Sequence, residues 1–199
     1  MKVYDDPHQI NFNELPAQFV LKTNHGSEFN IIVQNKSKLN FRKAKRSLAN
    51  WLQIDFGEKK TEFHYSFIKR KAFAEEYIGN NLSNYKILCF HGTPRFLYLT
   101  KKYGKKEYLT YFDMEWNRLD FHCVLPPHPT EIYPKPKNFE LMKKYASKLS
   151  RPFKFVRVDF YEYNNEVRLG ELTFLPTNGK IICKKKEHEI ELGKYLKIF

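Results

Sequence analysis

The chain has 199 residues, including 18 Phe and 13 Tyr, which is enough apolar material for one large domain or two small lobes and excludes a disordered chain. Its formal net charge of +13 favours an anionic partner, although a solvated basic surface accounts for much of this charge. The 3 cysteines are widely spaced and odd in number, which favours reduced thiols in a cytoplasmic protein over a disulfide framework or a zinc site. No apolar run approaches membrane-spanning length, so no integral membrane segment is expected.

The first predicted elements are two short strands, 19–22 and 30–33, with a polar loop between them. Lys22 ends the first strand, and backbone N–H groups around Gly26 and Ser27 could cradle a phosphate group beside the Lys22 charge. The loop does not match the Walker pattern. Taken alone, it is more simply explained as a surface hairpin with a glycine turn.

A helix follows this hairpin, with Asn40 as its N-cap. Its apolar face, at helical spacing, holds Phe41, Ala44, Leu48 and Trp51. Four further strands are predicted at 72–78, 85–90, 95–100 and 106–112. The second and third of these form a hairpin around residues 91–94. Residues 125–136 contain 5 prolines and are predicted to form a loop or crossover.

A second helix is predicted to begin after Asn138, its N-cap, with its lysines pointing outward. Its buried stripe holds Leu141, Met142, Tyr145, Ala146 and Leu149. A short closing helix is predicted at 189–199. This order of mostly antiparallel strands with two or three helices predicts an α+β fold with helices packed on one side of the sheet.

Residues 153–174 alternate on both sides of Asn164-Asn165, which predicts an antiparallel hairpin. A two-residue turn would pair Asp159 with Gly170 and mix acidic and apolar groups on each face. A three-residue loop would pair Asp159 with Glu171 and leave the opposite face apolar throughout. Because a slip of one residue moves every side chain to the other face, we predict the second register.

The predicted register sets two carboxylates, Asp159 and Glu171, directly opposite each other. At about 5 Å and an effective dielectric of about 20 their repulsion is roughly 3 kcal/mol. Arg157, which the same register pairs with Thr173, offsets part of it. A hard cation such as Mg²⁺ would offset more, because it takes carboxylate oxygens as ligands and commonly holds phosphates too. A solvated sheet face that tolerates opposed acids explains the hairpin equally well when it is considered alone.

Several segments together resemble the ATP-grasp superfamily, because they occur in its order along the chain. The resemblance is greatest to the TupA-like ATP-grasp family, which is associated with teichuronopeptide and surface-polysaccharide synthesis. It runs from about Asp5 to the C-terminus. The segments that carry it are FVLKTNHGS, YFDMEWNRLDF, the KPKN before the second helix, FVRVDFY and GELTF.

The resemblance implies an ATP-grasp-like fold with an N-terminal lobe at 1–78, which holds the phosphate loop, and a C-terminal lobe at 79–199, which holds the metal-binding hairpin. It implies ATP and Mg²⁺ as cofactors. The residues that would contact the nucleotide phosphates or line the adenine pocket are Lys22, His25, Gly26, Ser27, Glu75, Glu76, Tyr77 and Ile78. The implied catalytic residues are Arg157 and Lys86. The implied metal ligands are Asp159, Glu171 and Thr173.

The chain departs from the family pattern at three positions. Glu28 stands where a glycine is usual, Asn84 where an aspartate is common, and Thr173 where many ATP-grasp enzymes place an asparagine ligand. Related proteins also carry an additional N-terminal segment with another nucleotide-contacting lysine. The resemblance therefore implies an N-terminally shortened chain.

The function that the resemblance implies is an ATP-dependent ligase. It would phosphorylate a carboxylate and let an amine attack the acyl phosphate, on an acidic saccharide or peptide-polymer acceptor. The alternatives are a degenerate ATP-grasp module that binds an anionic saccharide, and a glycosyltransferase-associated protein. A nucleic-acid-binding protein agrees with the charge and aromatic content, but no helix-turn-helix, zinc-finger or RNP-like signature is present. The roles of Asp113 and Trp116 stay open.

Overall fold

The computed structural model of the chain describes residues 1–60, 62–79 and 82–197. The chain divides into two compact units, unit 1 (Met1–Gly79) and unit 2 (Asn80–Phe199), which are described separately. The assignment of 1–78 and 79–199 to two ATP-grasp lobes stays a prediction. In the described part of the chain, none of the helices is both long and apolar enough to cross a membrane.

Unit 1 contains a four-stranded antiparallel sheet in the order β1-β4-β2-β3. Its strands are β1 (Lys2–Tyr4), β2 (Phe19–Thr23), β3 (Asn30–Val33) and β4 (Ala72–Glu76). Its helices are α1 (Phe41–Gln53) and α2 (Phe56–Lys60). β1 was not predicted. β4 begins where the predicted strand 72–78 begins but ends two residues earlier, at Glu76.

Helix α1 begins where the sequence predicts, because the Asn40 side-chain oxygen accepts the Lys43 backbone N–H at 2.9 Å. Ala44 and Leu48 are buried against the sheet of unit 1. Phe41, predicted to share that face, is exposed and stacks on the ring of Phe12 at the edge of the core. The buried stripe of the helix is therefore narrower than predicted.

Unit 2 contains a six-stranded antiparallel sheet in the order β10-β9-β5-β6-β7-β8. Its strands are β5 (Asn84–Phe90), β6 (Thr93–Tyr103), β7 (Lys106–Asp113), β8 (Arg118–Leu119), β9 (Phe155–Tyr163) and β10 (Glu166–Thr173). Its helices are α3 (Phe139–Ser150) and α4 (Lys186–Gly193). Antiparallel sheets with packed helices confirm the predicted α+β class.

Both faces of the unit 2 sheet are covered, whereas the sequence predicted helices on one side. Helix α3 packs Phe139, Met142 and Ala146 on the face that includes Ile87 and Val158. The opposite face is covered in part by Leu192 of helix α4 and by three residues outside the helices, Phe121, Cys123 and Cys183. A disulfide joins Cys123 to Cys183, so the prediction of three reduced thiols is wrong for two of them. The sequence did not indicate this pairing, because the two cysteines are separated by 60 positions along the chain. Cys89 is a free, buried thiol.

Three local predictions in unit 2 are corrected. Asn138 precedes α3 but does not cap it, because its side-chain amide donates to Glu162 at 2.8 Å. Tyr145, predicted to be buried, is exposed on α3. The closing helix α4 lies at Lys186–Gly193 rather than at 189–199, and positions 198 and 199 of that prediction lie outside the described residues.

The hairpin of β9 and β10 turns at Asn164 and Asn165, which both have positive φ, at 52° and 61°. This is a two-residue turn, for which paired asparagines are suitable, so the predicted three-residue loop is wrong. A β-bulge at Gly170 then shifts the register by one residue. As a result Asp159 pairs with Glu171, as predicted. A Cβ at position 170 would lie 2.7 Å from the Tyr161 ring, which explains the glycine.

Candidate functional site

One row of cross-strand neighbours crosses five strands of unit 2. From β7 to β10 it reads Tyr111, Tyr98, Lys86, Asp159 and Glu171, each directly opposite the next. Because side chains alternate along a strand, the whole row projects from one face, the face opposite α3. Arg157 and Thr173, two residues along β9 and β10, form a second pair on the same face.

Asp159 lies at the centre of this row and is 1% exposed. Its Oδ1 accepts from Arg157 Nε at 2.6 Å, and its Oδ2 accepts from Arg157 Nη2 at 2.8 Å. Lys86 Nζ donates to the same Oδ2 at 2.6 Å. The carboxylate is therefore held by two cations, whereas the sequence indicated only Arg157 nearby. A buried charge in this position depends on its partners, because water cannot replace them.

Arg157 is also held on its other side. Its Nη1 donates to the Tyr98 hydroxyl at 3.0 Å, and its Nη2 donates to Thr173 Oγ1 at 2.8 Å. Burial alone would lower the pKa of Arg157, but its hydrogen bonds to Asp159 and the nearby acidic groups outweigh that effect and raise this pKa above its ordinary value. The guanidinium is therefore a permanent positive charge within the site.

Glu171 differs from Asp159 in exposure, since 54% of its side chain is accessible. The Thr173 hydroxyl donates to Glu171 Oε1, and Glu171 Oε1 lies 3.7 Å from Arg157 Nη2. Thr173 thus connects the arginine to the exposed carboxylate. The four charged side chains Lys86, Arg157, Asp159 and Glu171 have no net charge as a group.

The donor atoms at this place suit a hard cation such as Mg²⁺, which prefers oxygen ligands. Asp159 and Glu171 supply carboxylate oxygens and Thr173 supplies a hydroxyl. A carboxylate has about four acceptor positions, and Asp159 uses three of them on described residues. Over the described ranges, no three His, Cys, Asp or Glu side chains form a metal-holding group, so phosphate oxygens or water would complete the coordination.

Lys22 lies on β2, just before the predicted phosphate loop of unit 1. It forms an ion pair with Glu75 on the neighbouring strand β4. Ser27 and Glu28 are exposed at the loop's tip. Glu28 has a φ of 65°, a conformation that favours glycine. An acidic side chain thus occupies a backbone position that a glycine would adopt without strain.

His25 lies beneath this loop rather than on its surface, and is 1% exposed. Its Nε2–H donates to the Trp51 carbonyl at 3.0 Å, and its ring packs against Phe29. A Cβ on Gly26 would lie 2.8 Å from the Phe29 ring, so this glycine is required by packing. The structure therefore gives His25 and Gly26 a part in supporting the loop, and their contact with phosphate stays a prediction.

The residues predicted to line an adenine pocket lie at the end of β4. Glu75 is held by Lys22, and Glu76 is exposed. The Tyr77 hydroxyl accepts from Gln34 at 2.9 Å, and Ile78 is half-buried just beyond the strand. The segment thus presents side chains of mixed polarity, and its role toward adenine stays a prediction.

His25 is expected to make the protein less stable at mildly acidic pH. Burial lowers its pKa, so the unfolded chain, with an ordinary pKa near 6.5, binds this proton more readily than the folded protein. The stability contribution is complete above about pH 6.5 and is lost as the pH falls toward the lowered folded value. We expect His25→Gln to reduce the loss of unfolding free energy between pH 7.5 and 5.5, measured in urea by tryptophan fluorescence. The exposed His8→Gln is the control, and equal pH dependence in the two variants would contradict the prediction.

Asp113 and Trp116 have structural roles in a turn after β7. Asp113 accepts from the backbone N–H groups of Glu115 at 2.9 Å and Asn117 at 2.8 Å. The Trp116 ring stacks on Phe112, and its indole N–H donates to a backbone carbonyl. These contacts explain why the motif combines an acidic and an aromatic residue.

Tyr98 is the site residue that the sequence missed. The predicted loop at 91–94 would place Leu99 opposite Lys86. The actual turn has two residues, His91 and Gly92, and the register of the two strands shifts at a bulge between Leu88 and Cys89. As a result Tyr98, rather than Leu99, lies opposite Lys86. The sequence signal that could have indicated the shorter turn is Gly92, because a two-residue hairpin turn needs positive φ, which both His91 and Gly92 adopt.

A cavity of about 580 Å³ lies elsewhere in unit 2, beside the segment Pro134–Lys137. Lys135, Lys137, Asn164 and Asn165 are among the residues that line it. Glu162, which also lines it, accepts from Asn138. The cavity therefore combines two lysines and amide groups with the Glu162 carboxylate.

A family model described as TupA-like ATPgrasp matches residues 1–197, and the chain belongs to this family. The match confirms the predicted family and its ATP-grasp-like fold. A search of the curated proteins found no match.

Among solved structures, the chain is similar to D-alanine–D-alanine ligase from Bacillus anthracis complexed with ATP, at 15% identity and a TM-score of 0.46, over 89% of this chain and 51% of that one. It is similar to the ATP-grasp ligase PsnB complexed with minimal precursor, at 9% identity and a TM-score of 0.48, over 86% and 45% of the two chains. N5-carboxyaminoimidazole synthase from Aspergillus clavatus in complex with ADP is similar at 10% identity and a TM-score of 0.42, over 86% and 39%. The chain spans about half the length of these structures or less.

Proposed function

We propose that the protein binds ATP with Mg²⁺ and activates a carboxylate for ligation to an amine. The observation that carries the proposal is the buried cluster of Lys86, Arg157 and Asp159, with Glu171 at its exposed side. Two fixed cations beside two carboxylates provide groups for both a phosphoryl group and its metal ion. Membership of the ATP-grasp family supports the same chemistry.

In this proposal Arg157 and Lys86 stabilise negative charge on the transferring phosphoryl group. Asp159, Glu171 and Thr173 would hold Mg²⁺, which would neutralise phosphate charge. The phosphoryl group passes to a substrate carboxylate and ADP leaves. The amine then attacks the acyl carbon, forming the new C–N bond as inorganic phosphate departs with its electron pair, and the nitrogen loses its extra proton to solvent.

The residues of unit 1 that the sequence assigns to the nucleotide keep those roles in this proposal. Lys22 leaves Glu75 and contacts the phosphates, while backbone N–H groups near Gly26 and Ser27 donate to them. The segment at the end of β4 and just after it, including Tyr77 and Ile78, receives the adenine. Glu28 opposes phosphate binding by its charge, so a modest affinity is expected.

The acceptor that we propose is an acidic saccharide or peptide polymer. The net charge of +13 supports an anionic acceptor, and so do the two lysines of the cavity beside Pro134–Lys137. A role in cell-surface polymer synthesis would follow from the family. A cytoplasmic location is part of this proposal because ATP is supplied there, although the Cys123–Cys183 disulfide is unusual for that compartment.

A thermal-shift titration tests nucleotide binding. ATP with Mg²⁺ at 100 times its Kd should stabilise the protein by about 2.7 kcal/mol, because the ligand binds only the folded state. We expect ATP without Mg²⁺ to stabilise less and Lys22→Ala to lose most of the shift. The control is Lys38→Ala, which removes an equal charge from an exposed site in unit 1. No shift in the parent protein with both ligands would refute the proposal.

A second candidate function is a non-catalytic ATP-grasp module that binds an anionic saccharide. It is favoured by one observation, that Asp159 is already neutralised by Lys86 and Arg157, so the cluster is complete without a metal. Retention on a polyuronate column combined with no response to ATP and Mg²⁺ would support this candidate over the ligase.

A further inference from the structure

Tyr98 makes a buried contact with the arginine that the proposed function places at the phosphoryl group. It is 6% exposed and lies on β6, separated from Arg157 on β9 by the intervening strand β5. Its hydroxyl accepts from Arg157 Nη1 at 3.0 Å, and its ring centroid lies 5.9 Å from the guanidinium carbon. Burial raises the pKa of Tyr98, so the hydroxyl stays neutral.

The guanidinium of Arg157 has five N–H groups in a fixed plane, and most of them are used. Nε donates to Asp159 Oδ1, and Nη2 donates to both Asp159 Oδ2 and Thr173 Oγ1. Nη1 donates once, to Tyr98. Within the described part of the chain, one N–H therefore remains, and it is on Nη1.

We propose that Tyr98 is a positioning residue for Arg157, in that it fixes the Nη1 edge so that its remaining N–H is directed at the terminal phosphoryl group of the nucleotide. Asp159 fixes the opposite edge of the guanidinium, and the two contacts together define its orientation. Removing the Tyr98 hydroxyl leaves a second Nη1–H without an acceptor, and the guanidinium edge is no longer held. The identity of the ligand in this inference rests on the proposed function. The anchoring of Arg157 by Tyr98 does not depend on that function.

Tyr111 provides a matched control for Tyr98. It lies directly opposite Tyr98 on the adjacent strand β7 and is also buried on the same face of the sheet. Its hydroxyl has no hydrogen-bond partner among the residues that the structure describes. Tyr98→Phe and Tyr111→Phe thus remove the same atom from neighbouring places, but only the first removes a contact of Arg157.

The test compares both variants with the parent protein by two measurements. Calorimetry with Mg²⁺ gives the affinity for a non-hydrolysable ATP analogue and for ADP. We expect Tyr98→Phe to weaken binding of the analogue about 10-fold, the order of one hydrogen bond to a charged group, and to change ADP binding less than about 2-fold. Tyr111→Phe should change neither. A general structural defect would weaken both ligands alike, which would overturn the proposal.

Nitrogen-15 NMR of the Arg157 side chain, without nucleotide, separates this inference from the proposed function. In Tyr98→Phe the Nε–H signal should shift and exchange faster with solvent, and in Tyr111→Phe it should stay unchanged. An unaltered signal in Tyr98→Phe would show that Tyr98 does not position Arg157. If the parent protein binds no nucleotide, the proposed function fails, and the NMR comparison still decides whether Tyr98 holds the arginine.

Discussion

Asp159→Asn is expected to lower the free energy of unfolding of unit 2 by about 3–5 kcal/mol in the absence of any ligand. The change removes the negative charge that holds Arg157 and Lys86, and it leaves two cations in a buried cluster. An amide also has one acceptor oxygen and a nitrogen that can only donate, so it cannot accept both arginine N–H groups. Urea unfolding, followed by Trp116 fluorescence in a Trp51→Phe background, reports on unit 2.

The control for this prediction is Glu171→Gln. Because Glu171 is largely exposed, we expect its loss to cost less than about 1 kcal/mol without ligand. ATP with Mg²⁺ should stabilise the parent protein more than ATP alone does, and both variants should lose most of this difference. Unchanged apo stability of Asp159→Asn would contradict the buried network, and it is the result expected if two opposed carboxylates merely repelled each other, as the sequence suggested.

Arg157→Lys is expected to destabilise unit 2 by about 2–4 kcal/mol and to abolish most of the ATP-induced stabilisation. A lysine carries the same charge but has one ammonium group, which cannot contact both Asp159 oxygens, Tyr98 and Thr173 together. Charge-assisted hydrogen bonds are among the stronger ones, so several losses add to a large effect. Urea denaturation measures the loss of unfolding free energy, and a thermal-shift titration with ATP and Mg²⁺ measures the loss of ATP-induced stabilisation.

Arg168→Lys is the matched control, because it is the same substitution on the neighbouring strand of the hairpin. Arg168 is half-exposed and pairs with Glu166 at 2.8 Å, so the change should cost less than about 1 kcal/mol. If Arg157→Lys proved as stable as this control and still responded fully to ATP, the charge alone would suffice. The geometry of the guanidinium would then have no special function.

The hairpin shows how far local sequence patterns reach. Alternation correctly predicted that Asp159 faces Glu171 and that Arg157 faces Thr173. It did so with the wrong loop, because the two-residue turn at Asn164-Asn165 is compensated by the bulge at Gly170. The requirement for one apolar face fixes the strand register near the core. It does not fix the turn, because a bulge between the turn and the core can restore the same register from a different turn.

Predictions for single helices and strands succeeded where a local signal was present. The N-cap at Asn40 and the strand Asn30–Val33 were found because capping and alternation act within a few residues. The short strand β1 was missed because it is stabilised by pairing with β4, some 70 residues later in the chain. Such a pairing leaves little trace in the composition of three residues.

By itself, the sequence determined the α+β class, the family and the residue types of the candidate site, because these follow from alternation, helical spacing and ordered motifs. Only the tertiary structure decided which charges meet. Lys86 reaches Asp159 and Tyr98 reaches Arg157 because the strand order sets β5 between β9 and β6. Burial was decided in the same way, since Asp159 becomes a buried, doubly paired carboxylate only when neighbouring strands exclude water from it.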